Sequence, residues 1–129
     1  MKVLVLSGGE IKQREIENSL EALQEIVDGY IEIPFLSREL AKHGIDIIIN
    51  EEGKMIDGLK PEIAIMDKET EELLDVVYGN CIFASHNDEG DTIGLTEEQI
   101  AIVVNELHMG AMLGTADGKE SHLVRVLSI

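Results

Sequence analysis

Lysine and arginine are missing from the whole stretch between Lys68 and Lys119, where eleven carboxylates stand. The chain as a whole has 10 basic against 26 acidic residues, a net charge of −16. Such a field speaks to solubility and partners, not to fold. Phosphate-backbone binding needs clusters of Lys and Arg, so direct nucleic-acid binding is excluded. Adsorption to an anionic membrane surface is excluded for the same reason. Aromatics are also scarce. Tryptophan is absent, and only Tyr30, Phe35, Tyr78 and Phe83 could stack on a base, which argues against single-strand binding. The one cysteine, Cys81, has no partner for an internal disulfide. It lies in the apolar run Cys81-Ile82-Phe83-Ala84 and reads as a buried structural thiol. No run approaches the roughly 20 apolar residues of a membrane span. The start, Met1-Lys2-Val3-Leu4-Val5-Leu6, is too short for a signal peptide, so we expect a cytoplasmic protein.

What is present is an aliphatic globular composition, 44% hydrophobic over 129 residues, enough for one packed domain. We expect a single domain, 1–129, ending in a loose tail, 115–129, within which Leu123 to Ile129 reads as either a last strand or part of that tail. Val3 to Leu6 reads as a buried strand ended by the Ser7-Gly8-Gly9 turn, and Ile11 to Ile16 as its return. Asn18 and Glu21 suggest a capped helix whose apolar positions are Leu20, Leu23, Ile26 and Val27. Gly29 is its expected left-handed stop. Tyr30 to Phe35 alternates, with Pro34 confining it to an edge or an end. Ser37 to His43 suggests a short helix, Ile45 to Ile49 a central strand, and Met55-Ile56 a short one. Residues 57–72 read as a polar connection around the apolar patch Ile63–Met66. Val76 to Ala84 reads as one strand interrupted at Gly79-Asn80. Thr96-Glu97-Glu98-Gln99 is the clearest helix start, with Ile100, Val103, Val104 and Leu107 on its apolar face. The expected class is α+β: a small mixed or antiparallel sheet with two main helices packed on it.

Chemistry is thinly represented. Ser7-Gly8-Gly9 lacks the Lys-Ser/Thr end of a phosphate loop and the third glycine of a dinucleotide fingerprint. His86, Asp88, Glu89 and Asp91 have neither calcium-loop nor zinc spacing. No residue nominates itself as nucleophile or base, and no cofactor or metal is expected. The acids carry more. Glu17, Glu21, Glu25 and Asp28 recur at about helical spacing opposite the apolar stripe of the first helix. Glu69, Glu71, Glu72 and Asp75 are candidates to extend that row. A solvated face is the plain explanation. The functional one is a partner-binding face that imitates the anionic edge of a nucleic acid.

Three blocks carry a family resemblance: Ser19 to Val27 with Gly29-Tyr30-Ile31-Glu32, then Asn50-Glu51-Glu52-Gly53-Lys54, then Leu95-Thr96-Glu97-Glu98-Gln99-Ile100. In order and spacing they resemble domain-of-unknown-function family 3846, small proteins of phages and mobile elements of Gram-positive bacteria. The resemblance implies a mobile-element accessory protein and supplies no catalytic residues. The leading expectation is therefore a protein that binds and inhibits a host defence protein through its acidic face. The partner would present a basic surface, and homo-oligomerisation is left open. A small-molecule binder that sequesters a nucleotide-like signal is the alternative, and an enzyme of unknown type the third.

Overall fold

The computed structural model describes residues 1–114 and 118–129. Strands β1 (Lys2–Ser7) and β2 (Glu10–Glu15) form a hairpin, with Ser7 opposite Glu10. Its two-residue turn places Gly8 at φ 59° and Gly9 at φ 82°. Positive φ at both central positions suits the right-handed strand twist, and glycine meets it without steric cost. Helix α1 (Leu20–Val27) follows, then β3 (Ile31–Glu32), helix α2 (Arg38–Lys42), β4 (Ile45–Asn50) and a single 3-10 turn at Gly53–Met55. Next come β5 (Pro61–Met66), β6 (Leu73–Tyr78), β7 (Cys81–His86) and β8 (Thr92–Ile93). Helix α3 (Glu97–Glu106) runs directly into β9 (Leu107–Gly114), and β10 (Ser121–Ser128) ends the described chain.

The strands make two sheets. The first has the order β2-β1-β7-β4-β3, with β8 added to β7, and every pairing in it is antiparallel. The second has the order β6-β5-β10-β9 and is mixed, because β5 and β10 run parallel. The expected α+β class thus holds only coarsely. Among the described residues the fold is sheet-dominated, with two sheets and three helices, rather than one sheet carrying two helices.

Period-two alternation sorts the core into layers. Val3, Val5, Ile82 and Ala84 face α1, where they meet Leu23 and Val27. Their neighbours Leu4, Leu6, Cys81 and Phe83 face the other way and meet Ile63, Ile65, Val77 and Leu127 of the second sheet. Leu40 of α2 and Val103 of α3 close the same core. Strands β1, β4 and β7 are covered on both faces, which is why they read as mainly apolar runs, broken in β4 only by Asp46. Each fully buried side chain there, such as Phe83, Ile48 or Leu6, contributes about 1.5–3 kcal/mol relative to exposure.

Several local expectations are corrected. The α1 cap is Ser19, whose hydroxyl accepts the Ala22 N–H at 3.2 Å. Asn18 instead donates to the Thr92 carbonyl. With the cap one residue later, Ala22 takes the position where a capping box would need its acid. The left-handed stop is Asp28, at φ 59°, not Gly29. Gly29 serves a different need: a Cβ there would lie 2.6 Å from the Asn50 amide. Asn50 is buried and donates to the Val27 and Asp28 carbonyls, closing the end of α1 from β4. Ile63–Met66 is no patch in a connection but part of β5, the most buried strand of the second sheet. Val76 to Ala84 is two strands in two different sheets. Met55-Ile56 is not a strand, and only Ile31–Glu32 of the Tyr30–Phe35 segment pairs. Of the two readings of the chain's end, Ser121–Ser128 takes the strand, between β5 and β9; residues 115–117 lie outside the described residues.

Candidate partner-binding surface

The four acids assigned to α1 are all exposed, but only Glu21 and Glu25 lie within the helix. Glu17 precedes the Ser19 cap by two residues, and Asp28 is the left-handed residue beyond the last turn. Glu21 and Glu25 stand one turn apart and cost the helix a few tenths of a kcal/mol by repulsion. Among the described residues, none of the four takes part in an ion pair. Glu17 and Glu25 line a shallow cleft between α1 and β2, together with Glu15 and Arg14. A cation therefore borders the row on its β2 side.

The second acidic group lies elsewhere. Helix α1 covers one face of the first sheet, while β5 and β6 belong to the sheet packed on its other face. Glu69, Glu71 and Glu72 sit in the turn joining β5 to β6, so they do not continue the α1 row. That turn is shaped by Asp67, whose Oδ1 accepts the Glu69 and Thr70 N–H groups at 2.8 Å each. The two backbone bonds hold the Asp67 carboxyl below its ordinary pKa. Glu71 adopts φ 61°. Asp75 is half-buried in β6, ion-paired to Lys54, and accepts the Val76 N–H at 2.8 Å. It blunts the open edge of β6 and is not a free charge.

The glycine turn that resembles a phosphate loop is already occupied. Glu62, only 3% exposed in β5, accepts the Gly8 and Gly9 N–H groups at 2.8 Å each. Arg125 of β10 donates from Nε to the Gly9 carbonyl at 3.2 Å. The turn's two amides thus bind an anion, and the anion is the protein's own carboxylate linking one sheet to the other. Cys81 is fully buried nearby. Burial, with the Glu62 charge, pushes its thiol far above the ordinary range, which makes it inert in the folded state. In the 86–91 loop, His86 Nδ1 lies 2.8 Å from Asp46 Oδ2 of β4, and Asn87 Oδ1 accepts from Glu89 and Asp91. Among the described residues no three His, Cys, Asp or Glu side chains converge to hold a metal. No helix among them is long and apolar enough to cross a membrane.

One exposed feature escaped the sequence reading. The strap from Tyr30 to Leu36 runs along the outer edge of the first sheet, beyond the short pairing of β3 with β4. Tyr30 is 70% exposed, Phe35 72% and Met55 83%. Pro34 and Leu36 turn toward a cleft of about 280 Å³ that also touches Ile49, Met55 and Tyr78. A chain with four aromatics that leaves two of them in solvent is spending scarce apolar contact area outside its core. The available signal was composition: alternation alone could not say which side of the strap met a core.

Residues 1–108 match the family described as Domain of unknown function (DUF3846). No curated protein and no solved structure matches the chain. The match stops at the second residue of β9, yet β9 and β10 complete the second sheet. With 108 of its 129 residues covered, the chain belongs to the DUF3846 family.

Proposed function

We propose that this protein is a binding protein whose acidic surface engages a basic surface on a partner protein. The observation that carries the reading is the set Glu17, Glu21, Glu25 and Asp28: all exposed, and none neutralised by an ion pair among the described residues. In the phage or mobile-element setting that the family resemblance implies, the fitting target is a host defence protein with a nucleic-acid-binding surface. The acids would occupy that surface and inhibit it by exclusion. Complementary charge accelerates encounter and makes association fall with salt. The nucleotide-binding alternative is weakened at the Gly8-Gly9 turn, because Glu62 fills the amides that a phosphate would use there.

The test is affinity capture from a host lysate at low and at high ionic strength. The reading expects a nucleic-acid-binding protein that is retained at low salt, released at high salt, and not retained by a chain with the four acids changed to lysine. A partner held equally at both salt concentrations, or held by the lysine variant, removes it.

A further inference from the structure

We propose that the cleft between residues 35–39 and the ends of β5, β6 and β10 binds a small organic carboxylate. Its head would meet Arg38 and Lys68, and its apolar body would lie on Phe35, Leu36, Leu74 and Ile129. This site is separate from the acidic face proposed above and stands or falls without it. The cleft holds about 470 Å³, inside the roughly 300–1,000 Å³ range of small-molecule sites. The strap and the start of α2 supply one wall, and the second sheet supplies the other. Backbone bonds fix that second wall. The Lys68 N–H donates to the Ile129 carbonyl at 2.8 Å, and the Ile129 N–H to the Met66 carbonyl at 2.9 Å. Phe35, Leu74 and Ile129 are 72%, 50% and 43% exposed and line this one cleft, so a ligand there covers apolar surface that the core leaves bare.

The free donors select the head group. Neither Arg38 nor Lys68 is in an ion pair among the described residues, with the Ile129 carboxylate or with any other. The two acidic side chains of the cleft are already engaged. Glu39 lies 3.2 Å from His43 Nε2, and Asp67 Oδ1 accepts the Glu69 and Thr70 N–H groups. Ser37, 5% exposed, uses its oxygen to accept the Leu40 N–H at 3.2 Å, and its own hydroxyl hydrogen has no acceptor among the described residues. The cleft is therefore left with donors, and a carboxylate supplies what they lack, with both its oxygens open to the arginine fork. A neutral or cationic ligand would leave those donors unanswered. A phosphate monoester fits less well, because the −16 field opposes a dianion about twice as strongly as a monoanion.

The experiment titrates 3-phenylpropionate into the intact chain and follows the amide chemical shifts. Saturable shifts centred on residues 35–39, 67–68, 74 and 128–129 are expected. The alcohol 3-phenylpropanol should bind at least tenfold more weakly, and its phosphate monoester more weakly than the acid. The Arg38→Ala/Lys68→Ala variant should bind the acid at least tenfold more weakly and the alcohol almost unchanged. Lys12→Ala/Lys60→Ala makes the same change in net charge outside the cleft and should weaken the acid less than twofold. All four side chains are exposed, so both variants keep their fold, which a circular dichroism melt verifies. Equal binding of acid and alcohol, or equal losses in the two variants, overturns the cationic head site. Tighter binding of the phosphate overturns the carboxylate as the head. Shifts centred elsewhere, or no saturation up to about 10 mM, overturn the cleft as a binding site. None of these outcomes touches the acidic face, whose own test is salt-dependent capture.

Discussion

Replacing Glu62 by alanine should loosen the junction between the two sheets at one defined place. The carboxylate is 3% exposed and accepts two backbone N–H groups, each at 2.8 Å. Hydrogen bonds to a charged group contribute about 1.5–3 kcal/mol each. Gly8 is exposed, so its N–H regains water when the carboxylate goes, and its share falls toward the lower end. The sum is about 3 kcal/mol, or a melting temperature lower by roughly 10 °C at this chain length. Glu62→Gln keeps one acceptor oxygen and should lose about half as much. Urea denaturation measures both variants. Amide hydrogen exchange adds the local test, because Gly8 and Gly9 should lose protection while Val3 to Val5 in the middle of β1 keep theirs. If Glu62→Ala costs under about 0.5 kcal/mol, or destabilises without faster exchange at Gly8 and Gly9, the carboxylate is not the latch argued here.

At the α3 start, Thr96→Ala should cost about 1 kcal/mol in a urea melt, since it removes half of the reciprocal Thr96–Gln99 cap. Gln99→Leu should cost more than Thr96→Ala, because Gln99 Nε2 also donates to the His43 carbonyl and the Ser85 hydroxyl. Phe83→Ala, at the one aromatic with no exposure, should cost about 3–5 kcal/mol in the same assay. For Cys81 the raised folded pKa sets the sign: folding favours the neutral thiol, so its contribution is whole below the unfolded thiol pKa of about 8.5 and declines above it. Stability measured from pH 7 to 10 should therefore fall less steeply in Cys81→Ala than in the parent chain, and a thiol reagent should label Cys81 only on unfolding.

Legibility in the sequence followed locality. Strands β1 and β4 could be read because both their faces are buried, which leaves short, mainly apolar runs; β7 could be read only as the end of a Val76–Ala84 strand whose first part pairs in the other sheet. The Thr96 cap could be read because all its atoms lie within four residues. Strand β5 could not, since Pro61 and Glu62 look like a polar connection until the glycine turn, more than fifty residues away, supplies the partner for the carboxylate. The parallel pairing of β5 with β10 crosses about sixty residues and leaves no local trace. At the candidate surface the acids and their exposure were legible, but their arrangement was not. A cap shifted from Asn18 to Ser19 puts Glu17 outside α1, and the left-handed Asp28 turns out of its last turn. The α1 acids and the acids around Asp67 separated because membership of one sheet or the other is decided by long-range pairing.

The claim that the exposed acids are a recognition surface meets its most direct test in the association rate with a captured basic partner, followed against ionic strength. The account predicts a rate that falls at least tenfold between low and high salt for the parent chain. It also predicts that the salt dependence is lost when Glu17, Glu21, Glu25 and Asp28 are lysine. A rate that is flat with salt in the parent, or unchanged by the four substitutions, would contradict it.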